Sequence, residues 1–200
     1  MTDETEQIRM AQAGDQSAFG HLVTAYQTPV YNLAYRMLGD AAEAEEAAQE
    51  AFLRAYTSLR SYDPQRPFRS WLLSITSHYC IDRLRRRRLT WLSLDDEEEE
   101  GYIRNIAPER LASDCPDPET VVAQQEREEW IQQLLAALPP TDRATVTLRY
   151  WYDCSYEEIA EALHLTVSAV KSRLHRARCA LAKTMAVPAP TAEGELNYAL

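Results

Sequence analysis

A pair of short helical patterns joined by a tight connection constrains this chain more than any other feature. It occupies residues 155–183, SYEEIAEALHLTVSAVKSRLHRARCALAK. Ser155 and Glu158 have the spacing of a capping box, which satisfies free backbone N–H groups at a helix start. Residues 164–166 form the connection, and Thr166 is placed to cap the second helix. Apolar residues then recur on one stripe, at about 100° per residue: Val167, Val170, Leu174, Ala177 and Leu181. The pattern predicts two helices around a turn.

The opposite face of the second helix is polar and basic. It carries Ser168, Ser172, His175, Arg176 and Cys179, with Lys171, Arg173 and Arg178 on its flanks. Such a helix suits the major groove of DNA, where an exposed ridge reaches base edges and flanking cations hold phosphates. No acidic residue lies between positions 162 and 192. The alternative interpretation is an amphipathic helical hairpin with a solvated basic face.

A net charge of −10 by itself argues against a nucleic-acid ligand, but the negative charge is concentrated in one segment of the chain. Residues 93–120 hold ten acidic residues and only two arginines, which is a net charge of −8. Prolines, a glycine and little periodic apolar content accompany these acids. We therefore expect a flexible acidic linker at residues 93–120, and the rest of the chain is nearly neutral.

The remaining composition favours helices, because only five of the 200 residues are glycine and good helix formers are frequent. We expect an all-α chain with an N-terminal helical bundle at residues 1–92 and a C-terminal helix-turn-helix domain at residues 121–185. A loose tail follows at residues 186–200.

No apolar run approaches the roughly 20 residues of a membrane helix, and the polar N-terminus is unlike a secretory signal. We expect a cytoplasmic protein without direct membrane insertion.

Cysteine usage argues against a disulfide framework. The four cysteines, at positions 80, 115, 154 and 179, are scattered and include no CxxC pair. His175 and Cys179 lie one helical turn apart, but a metal would need further ligands from elsewhere. No P-loop, GxSxG, HExxH or triad-like cluster is present. The sequence predicts no enzyme, no metal site and no cofactor.

Residues 8–59 carry helical periodicity with two interruptions. We expect Pro29 to start, kink or separate helices. Asp40 and Glu43 have capping-box spacing ahead of a helix at about residues 41–59. That helix bears an acidic-polar ridge made of Glu43, Glu46, Gln49 and Glu50. The ridge is either a solvated face or a docking site for a basic partner, and the pattern alone favours the solvated face.

A loop at residues 61–67, SYDPQRP, precedes one long helix at about residues 68–89. The helix ends in a cluster of cations: Arg83, Arg85, Arg86, Arg87 and Arg88. Because their density exceeds what helix capping requires, a phosphate-binding patch is favoured over a solvated helix end.

After the linker, a new amphipathic helix is expected from about residue 119. Pro139 and Pro140 stop it, and Thr141 is placed to cap the next helix.

Three segments in this order resemble the extracytoplasmic-function (ECF) sigma factors of bacterial RNA polymerase, which belong to the sigma-70 family. They are EAEEAAQEAFLRAY (43–56), PFRSWLLSITSHYCIDRLRRRR (67–88) and SYEEIAEALHLTVSAVKSRLHRARCAL (155–181). The resemblance implies a promoter-specificity subunit with sigma regions 2 and 4. Such a subunit binds core RNA polymerase, recognises −10 and −35 promoter elements and directs transcription initiation in a stress or signal response. A polymerase-independent helix-turn-helix regulator is the alternative.

The family pattern also implies site residues in the first domain. Glu46, Gln49 and Glu50 would meet the β′ clamp coiled coil of the polymerase, whose β subunit is a further contact. This implication reverses the preference for a solvated ridge. The small EAA at residues 46–48 departs from the family, which usually has a large aliphatic residue after the acid, so the packing against the clamp would be thinner.

The −10 element would be bound by Tyr62, Asp63, Arg66, Phe68, Trp71, Tyr79, Arg83, Arg86 and Arg87. A flipped base would be captured near residues 61–66, and Trp71 is equally a core candidate.

The −35 element would be read from the second domain by Thr166, Ser168, Ala169, Lys171, Ser172, Arg173 and Arg176. Ser172 and Arg176 would face bases or adjacent phosphates, while Lys171 and Arg173 would mainly hold phosphates. The resemblance further implies an anti-sigma factor as a partner. The acidic run at residues 95–100 either mimics nascent RNA in a polymerase channel or is a solvated tether, and both interpretations stay open.

Overall fold

The structure is a computed structural model that describes the backbone of residues 4–93 and 118–186 and the side chains of residues 4–88 and 124–184. These residues form eight α-helices and a short 3-10 turn at Leu59–Ser61. The first segment contains α1 (Glu4–Gln12), α2 (Gln16–Leu38), α3 (Ala41–Ser58) and α4 (Phe68–Ser93). The second contains α5 (Pro118–Ala136), α6 (Pro140–Trp151), α7 (Tyr156–Ala162) and α8 (Val167–Ala186).

The predicted all-α class is confirmed for the described residues. The acidic run of the predicted linker and nearly all of the predicted tail lie outside those residues. Within the described part, none of the helices combines the length and the apolar composition that crossing a bilayer requires.

Side chains at the helix starts explain the boundaries of α2 and α3. Asp15 caps α2 by accepting hydrogen bonds from Ser17 N and Ala18 N. Gly39 ends α2 with a φ of 78°, a left-handed conformation that glycine adopts without strain. Asp40 then caps α3 by accepting from Glu43 N at 2.8 Å.

Pro29 lies inside α2 and does not separate two helices. A proline removes one backbone hydrogen bond from a helix interior. Here the residues on both sides of Pro29 are buried, including Leu22, Val30 and Leu33. Helix α2 therefore packs against the core on both sides of its proline.

The expected cap at Thr141 is wrong, because α6 already begins at Pro140. The first helical position suits proline, since its backbone N–H would have no partner there and its φ is already helical. Thr141 lies inside the first turn, where its carbonyl accepts a hydrogen bond from Thr145 Oγ1 at 2.7 Å.

The helices of the first segment pack around the small side chains of α3. Alanines at positions 44, 47, 51 and 55 are fully buried, and α3 contacts both α2 and α4. Small residues allow neighbouring helix backbones to approach closely. The buried face of α3 leaves its opposite, polar face at the surface.

The second segment packs directly against the first. Helix α6 contacts α2 and α4, and α7 contacts α4. Hydrogen bonds cross the boundary from Arg143 Nη1 to Met37 O (2.5 Å), from Tyr152 OH to Pro29 O (2.6 Å) and from Ser74 Oγ to Ala162 O (2.7 Å). One apolar cluster contains residues of both segments, among them Leu33, Met37, Leu73, Leu135, Leu148 and Ile159. The sequence predicted two helical regions but not this shared core.

Candidate polymerase and nucleic-acid interfaces

Helices α7 and α8 form the two-helix unit predicted at residues 155–183. The capping box is complete, since Glu158 N donates to Ser155 Oγ at 3.1 Å and Ser155 N donates to Glu158 Oε2 at 2.7 Å. These hydrogen bonds with Ser155 lower the pKa of Glu158, because they stabilise its carboxylate. His164 takes a φ of 52° in the turn, and Ala169 N donates to Thr166 Oγ1 at 3.1 Å. Both predicted caps are confirmed.

Helix α8 buries the centre of its apolar stripe and exposes its polar ridge, while Val167 and Leu181 at the two ends of the stripe are half-buried. Val170, Leu174 and Ala177 are buried. On the other side the Arg176 side chain is 62% exposed. The other exposed residues of this face and its flanks are Ser168, Lys171, Ser172, His175, Arg178 and Cys179. Ala169 is half-buried, and the Thr166 hydroxyl is occupied as the helix cap. The polar ridge of α8 is therefore accessible and could enter a groove of a DNA duplex.

A carboxylate lies under the basic flank of α8. The Asp142 side chain is 7% exposed, and its Oδ1 lies 2.5 Å from Arg173 Nη1 and 3.7 Å from Arg176 Nη2. The Arg173 side chain is 28% exposed. Two of the seven predicted −35 residues thus share one buried anion of α6.

The predicted polymerase-binding residues lie on the exposed face of α3. Glu46 Oε1 is 2.7 Å from Arg83 Nη1, and this contact lowers the pKa of Glu46. Glu50 is paired with Arg54 at 2.8 Å within the same helix. A shallow groove of about 430 Å³ runs beside Gln49 between α2 and α3. Its apolar lining comes from Val23, Tyr31, Ala48 and Phe52.

The loop before α4 borders a larger cleft of about 570 Å³. Tyr62, Arg66 and Phe68 line it, together with Gln12, Tyr26 and Arg69 among others. Gln12 Nε2 fastens the loop by donating to Leu59 O and Tyr62 O, both at 3.0 Å. The Tyr62 hydroxyl donates to Arg66 O.

The aromatic candidates at this cleft are mostly buried. Tyr62 is 5% and Phe68 is 3% exposed. Trp71 is half-buried and packs on both rings, with centroid distances of 4.9 Å and 5.5 Å. Asp63 stays exposed and accepts a hydrogen bond from Gln65 N at 2.9 Å. These rings therefore form walls of the cleft, and Trp71 contributes to the core behind them.

The arginines in the C-terminal half of α4 lie away from the cleft, and two of them are near the acidic ridge. Arg83 donates to Tyr79 OH at 3.2 Å and is paired with Glu46, while Arg87 is paired with Glu43. Arg86 is exposed, as are Arg85 and Arg88. The structure thus joins the predicted polymerase-binding ridge to part of the predicted −10 surface by ion pairs.

The comparisons with known proteins agree in both parts of the chain. The family model of sigma-70 region 2 matches residues 22–90, and the model of sigma-70 region 4 matches residues 128–181. The ECF RNA polymerase sigma factor SigW of Bacillus subtilis is 38% identical over 180 residues, which is 90% of this chain and 95% of that protein. The chain is an ECF sigma factor of the sigma-70 family. The family predicted from the three segments is therefore confirmed.

Two solved structures share the fold. CnrH, in complex with the cytosolic domain of CnrY, matches with a TM-score of 0.64 and 24% identity over 93% of this chain and 99% of that chain. RpoE from Bartonella quintana, in complex with the anti-sigma factor NepR, matches with a TM-score of 0.62 and 20% identity over 86% and 98%. As an ECF sigma factor, the protein acts with RNA polymerase on promoter DNA, directs transcription initiation and is not an enzyme.

Sequence reasoning about this sigma factor missed Asp142 and the pairing of Glu43 and Glu46 with α4. Asp142 is 31 positions from Arg173 along the chain, and helical periodicity says nothing about contacts at such a distance. The sequence carried no signal for its burial, because the mostly polar segment DRATVTL at residues 142–148 does not indicate that all seven positions are buried in α6. An acid in a buried position needs a cationic partner. The pair that was considered for a metal, His175 and Cys179, has its Nε2 and Sγ atoms 3.7 Å apart on the exposed face.

Proposed function

We propose that this sigma factor uses three surfaces: the α3 ridge for core polymerase, the cleft and α4 for the −10 element, and the exposed face of α8 for the −35 element. The observation that carries the proposal is the exposed polar ridge of α8, with Arg176 at 62% exposure on the side opposite the buried Val170, Leu174 and Ala177. The proposal keeps the predicted domains, with region 2 at residues 1–92, a linker at 93–120, region 4 at 121–185 and a tail at 186–200.

Core polymerase would bind along α3. Glu46, Gln49 and Glu50 offer carboxylate and amide groups next to the apolar groove between α2 and α3. This combination fits a partner helix that carries both arginines and apolar residues, because charge-assisted hydrogen bonds orient it while the groove buries apolar area. The β′ clamp coiled coil is the partner that we propose here, and the β subunit would contact region 4.

The −10 element would be held by the cleft and by α4. Flipping a base out of the stack costs a few kcal/mol, so its pocket must supply aromatic walls and hydrogen-bond partners. Tyr62 and Phe68 supply walls, while Arg66 and Asp63 supply polar groups at the loop. Tyr79, Arg83, Arg86 and Arg87 would contact the DNA further along α4, with the arginines on phosphates. Trp71 would support the cleft from behind.

The −35 element would be read by α8. Ser172 and Arg176 project from the centre of the exposed face and would reach bases or adjacent phosphates. Thr166, Ser168 and Ala169 lie at the N-terminal end of the helix, where backbone N–H groups favour a phosphate. Lys171 and Arg173 on the flanks would hold phosphates.

An anti-sigma factor is the remaining proposed partner, and the cytoplasm is the proposed location. The two structural relatives described above were both solved with a bound protein, and NepR is an anti-sigma factor. A partner of that kind would compete with core polymerase for the α3 ridge. Transcription takes place where RNA polymerase and the chromosome are, which is the bacterial cytoplasm.

The test is reconstitution with purified core polymerase. We expect the full chain to bind core and to produce discrete run-off transcripts from genomic fragments that core alone leaves silent. A polymerase-independent regulator would instead bind duplex DNA by itself, as a dimer on palindromic half-sites. Absence of both core binding and promoter-dependent transcripts would refute the proposal.

A further inference from the structure

We propose that Asp142 is a positioning residue, which holds Arg173 and Arg176 in the orientation that α8 needs to discriminate the −35 element. The inference rests on the proposed role of α8 in reading that element. Asp142 itself lies in the first turn of α6 and would not touch DNA, since its side chain is 7% exposed.

The geometry places one carboxylate oxygen between two guanidinium groups. Asp142 Oδ1 lies 2.5 Å from Arg173 Nη1 and 3.7 Å from Arg176 Nη2. Arg173 and Arg176 are one helical turn apart, so both side chains emerge on the same side of α8. The carboxylate thus connects the flank of the recognition face with its exposed ridge.

Burial makes this contact obligatory for the folded protein. A carboxylate removed from water is costly unless a cation and hydrogen bonds compensate it. The close contact with Arg173 provides that compensation, and it restricts a side chain that otherwise samples many rotamers. Arg176 is further from the oxygen and 62% exposed, so it is biased by the carboxylate but stays available to a ligand.

Ordering the arginines before DNA arrives benefits recognition. Immobilising a long side chain at an interface costs free energy at the moment of binding, and a side chain that is already ordered avoids that cost. The correct sequence gains more from this than a scrambled one, because only the correct sequence offers base and phosphate groups where the arginines already point. Asp142 therefore acts on discrimination more than on total attraction.

An effect of charge alone would strengthen the attraction to DNA of any sequence and would not weaken discrimination of the −35 element. Replacing Asp142 by a neutral residue removes a negative charge beneath a phosphate-binding face, which should strengthen non-specific attraction to DNA. Positioning predicts that the same replacement weakens discrimination. The two accounts therefore separate when transcription is compared on two fragments that differ only in the −35 element.

The experiment uses the full chain with core polymerase. One fragment is a promoter found by sequencing the 5′ ends of transcripts that overexpression induces, and the other is the same fragment with its −35 element scrambled. Asp142→Asn should lower the ratio of the two transcript yields about fivefold, the order expected for one displaced arginine contact. Asp142→Asn added to the double variant Arg173→Ala/Arg176→Ala should lower it no further than that double variant alone. Asp153→Asn, at an exposed acid in the next loop, is the matched control and should leave the ratio unchanged.

A merely structural role of Asp142 would not produce this result. Partial unfolding reduces the yield from both fragments by the same factor, because each ratio comes from a single protein sample. In the free protein, the Nε–H NMR signal of Arg173 should change from an ordered to a mobile side chain in Asp142→Asn. If the Asn variant gives no folded protein, Asp142→Ser is measured in the same way.

The possible results distinguish a failure of the positioning role of Asp142 from a failure of the proposed −35 surface. A normal ratio for Asp142→Asn, together with a reduced ratio for Arg173→Ala or Arg176→Ala, would overturn the positioning role and leave the role of α8 intact. Normal ratios for all three variants would overturn the proposed −35 surface as well. A further loss of discrimination when Asp142→Asn is added to Arg173→Ala/Arg176→Ala would show that Asp142 acts through a residue other than these two arginines, which also contradicts the inference.

Discussion

Cys80 and Cys154 are buried thiols whose ionisation is coupled to folding. Burial raises the pKa of Cys80 to about 12 and that of Cys154 to about 11, from a value of 9.0 for an accessible thiol. Between pH 9 and those values the unfolded chain releases the thiol protons while the folded chain keeps them. The stabilisation is therefore complete below pH 9 and is lost as the pH rises through the folded values.

Replacement of Cys80 by Ala should weaken this pH dependence. Between pH 9 and 10.5 the free energy of unfolding of the wild type should fall more steeply than that of Cys80→Ala, by up to about 1.4 kcal/mol per pH unit. Urea unfolding at several pH values measures the two slopes. Cys179 is exposed, so Cys179→Ala should keep the wild-type slope. Parallel curves for the wild type and Cys80→Ala would contradict the link between burial and ionisation.

Single residues also show where sequence reasoning stops. The exposure of Arg176 followed from its place opposite the apolar stripe. The helical pattern did not predict the acidic partners of Arg173 and Arg83. These partners, Asp142 and Glu46, are 31 and 37 positions away along the chain. Tyr62 and Phe68 were expected to contact the −10 element, and both are buried rings in the wall of the cleft. A helical or loop pattern does not reveal which neighbouring element covers a ring.

At the scale of helices, local hydrogen bonding determined what could be predicted. Helices α7 and α8 were predicted with both caps because Ser155, Glu158 and Thr166 lie next to the groups they satisfy. The predicted start of α6 is too late, because a proline can be the first residue of a helix as well as a stop signal. Pro29 was expected to start, kink or separate helices, and the structure places it inside α2 with buried residues on both sides.

The capping box of α7 should contribute measurably to stability. Ser155→Ala removes the acceptor for Glu158 N and should lower the free energy of unfolding by about 1 kcal/mol. Chemical denaturation measures the change. Ser172→Ala is the matched control, since Ser172 is exposed within α8, and its effect should stay within a few tenths of a kcal/mol. Equal effects of the two variants would mean that the cap does not stabilise α7.

In the whole molecule, the packed arrangement of the two segments is too compact for simultaneous −10 and −35 contacts. About 25 base pairs separate elements with those positions, which is roughly 85 Å at about 3.4 Å per base pair. A compact body of roughly 150 to 200 residues has a radius of gyration of only about 15 to 17 Å. The chain between Ser93 and Pro118 can bridge up to about 85 Å, at no more than about 3.4 Å per residue. The segments must therefore separate when the promoter is engaged.

Fluorescence transfer between the two segments measures this separation. Dyes are attached through Arg60→Cys and Glu157→Cys, with Cys115 and Cys179 replaced by Ser. Transfer should be efficient in the free protein, because Arg66 Nη2 and Glu161 Oε1 lie 2.5 Å apart across the boundary. It should fall strongly on addition of core polymerase and promoter DNA. Unchanged transfer in a complex that yields transcripts would contradict the required separation.

The central claim assigns polymerase binding to α3 and −35 reading to α8, and one titration tests both. The sigma factor is titrated into a fixed amount of core polymerase on a promoter with an intact −35 element, and the yield of run-off transcript is recorded. The curve has two parameters, the half-saturating concentration and the plateau. Glu126→Arg and Arg127→Ala, at exposed positions of α5, are the matched controls and should reproduce the wild-type curve.

Each of two variants should change one of these parameters and leave the other unchanged. Glu50→Arg should raise the half-saturating concentration about tenfold and keep the plateau, because a charge is reversed at an interface with a basic partner. Arg176→Ala should keep the half-saturating concentration and lower the plateau about fivefold, since a base or phosphate contact is lost. Wild-type curves for both variants would contradict the assignment.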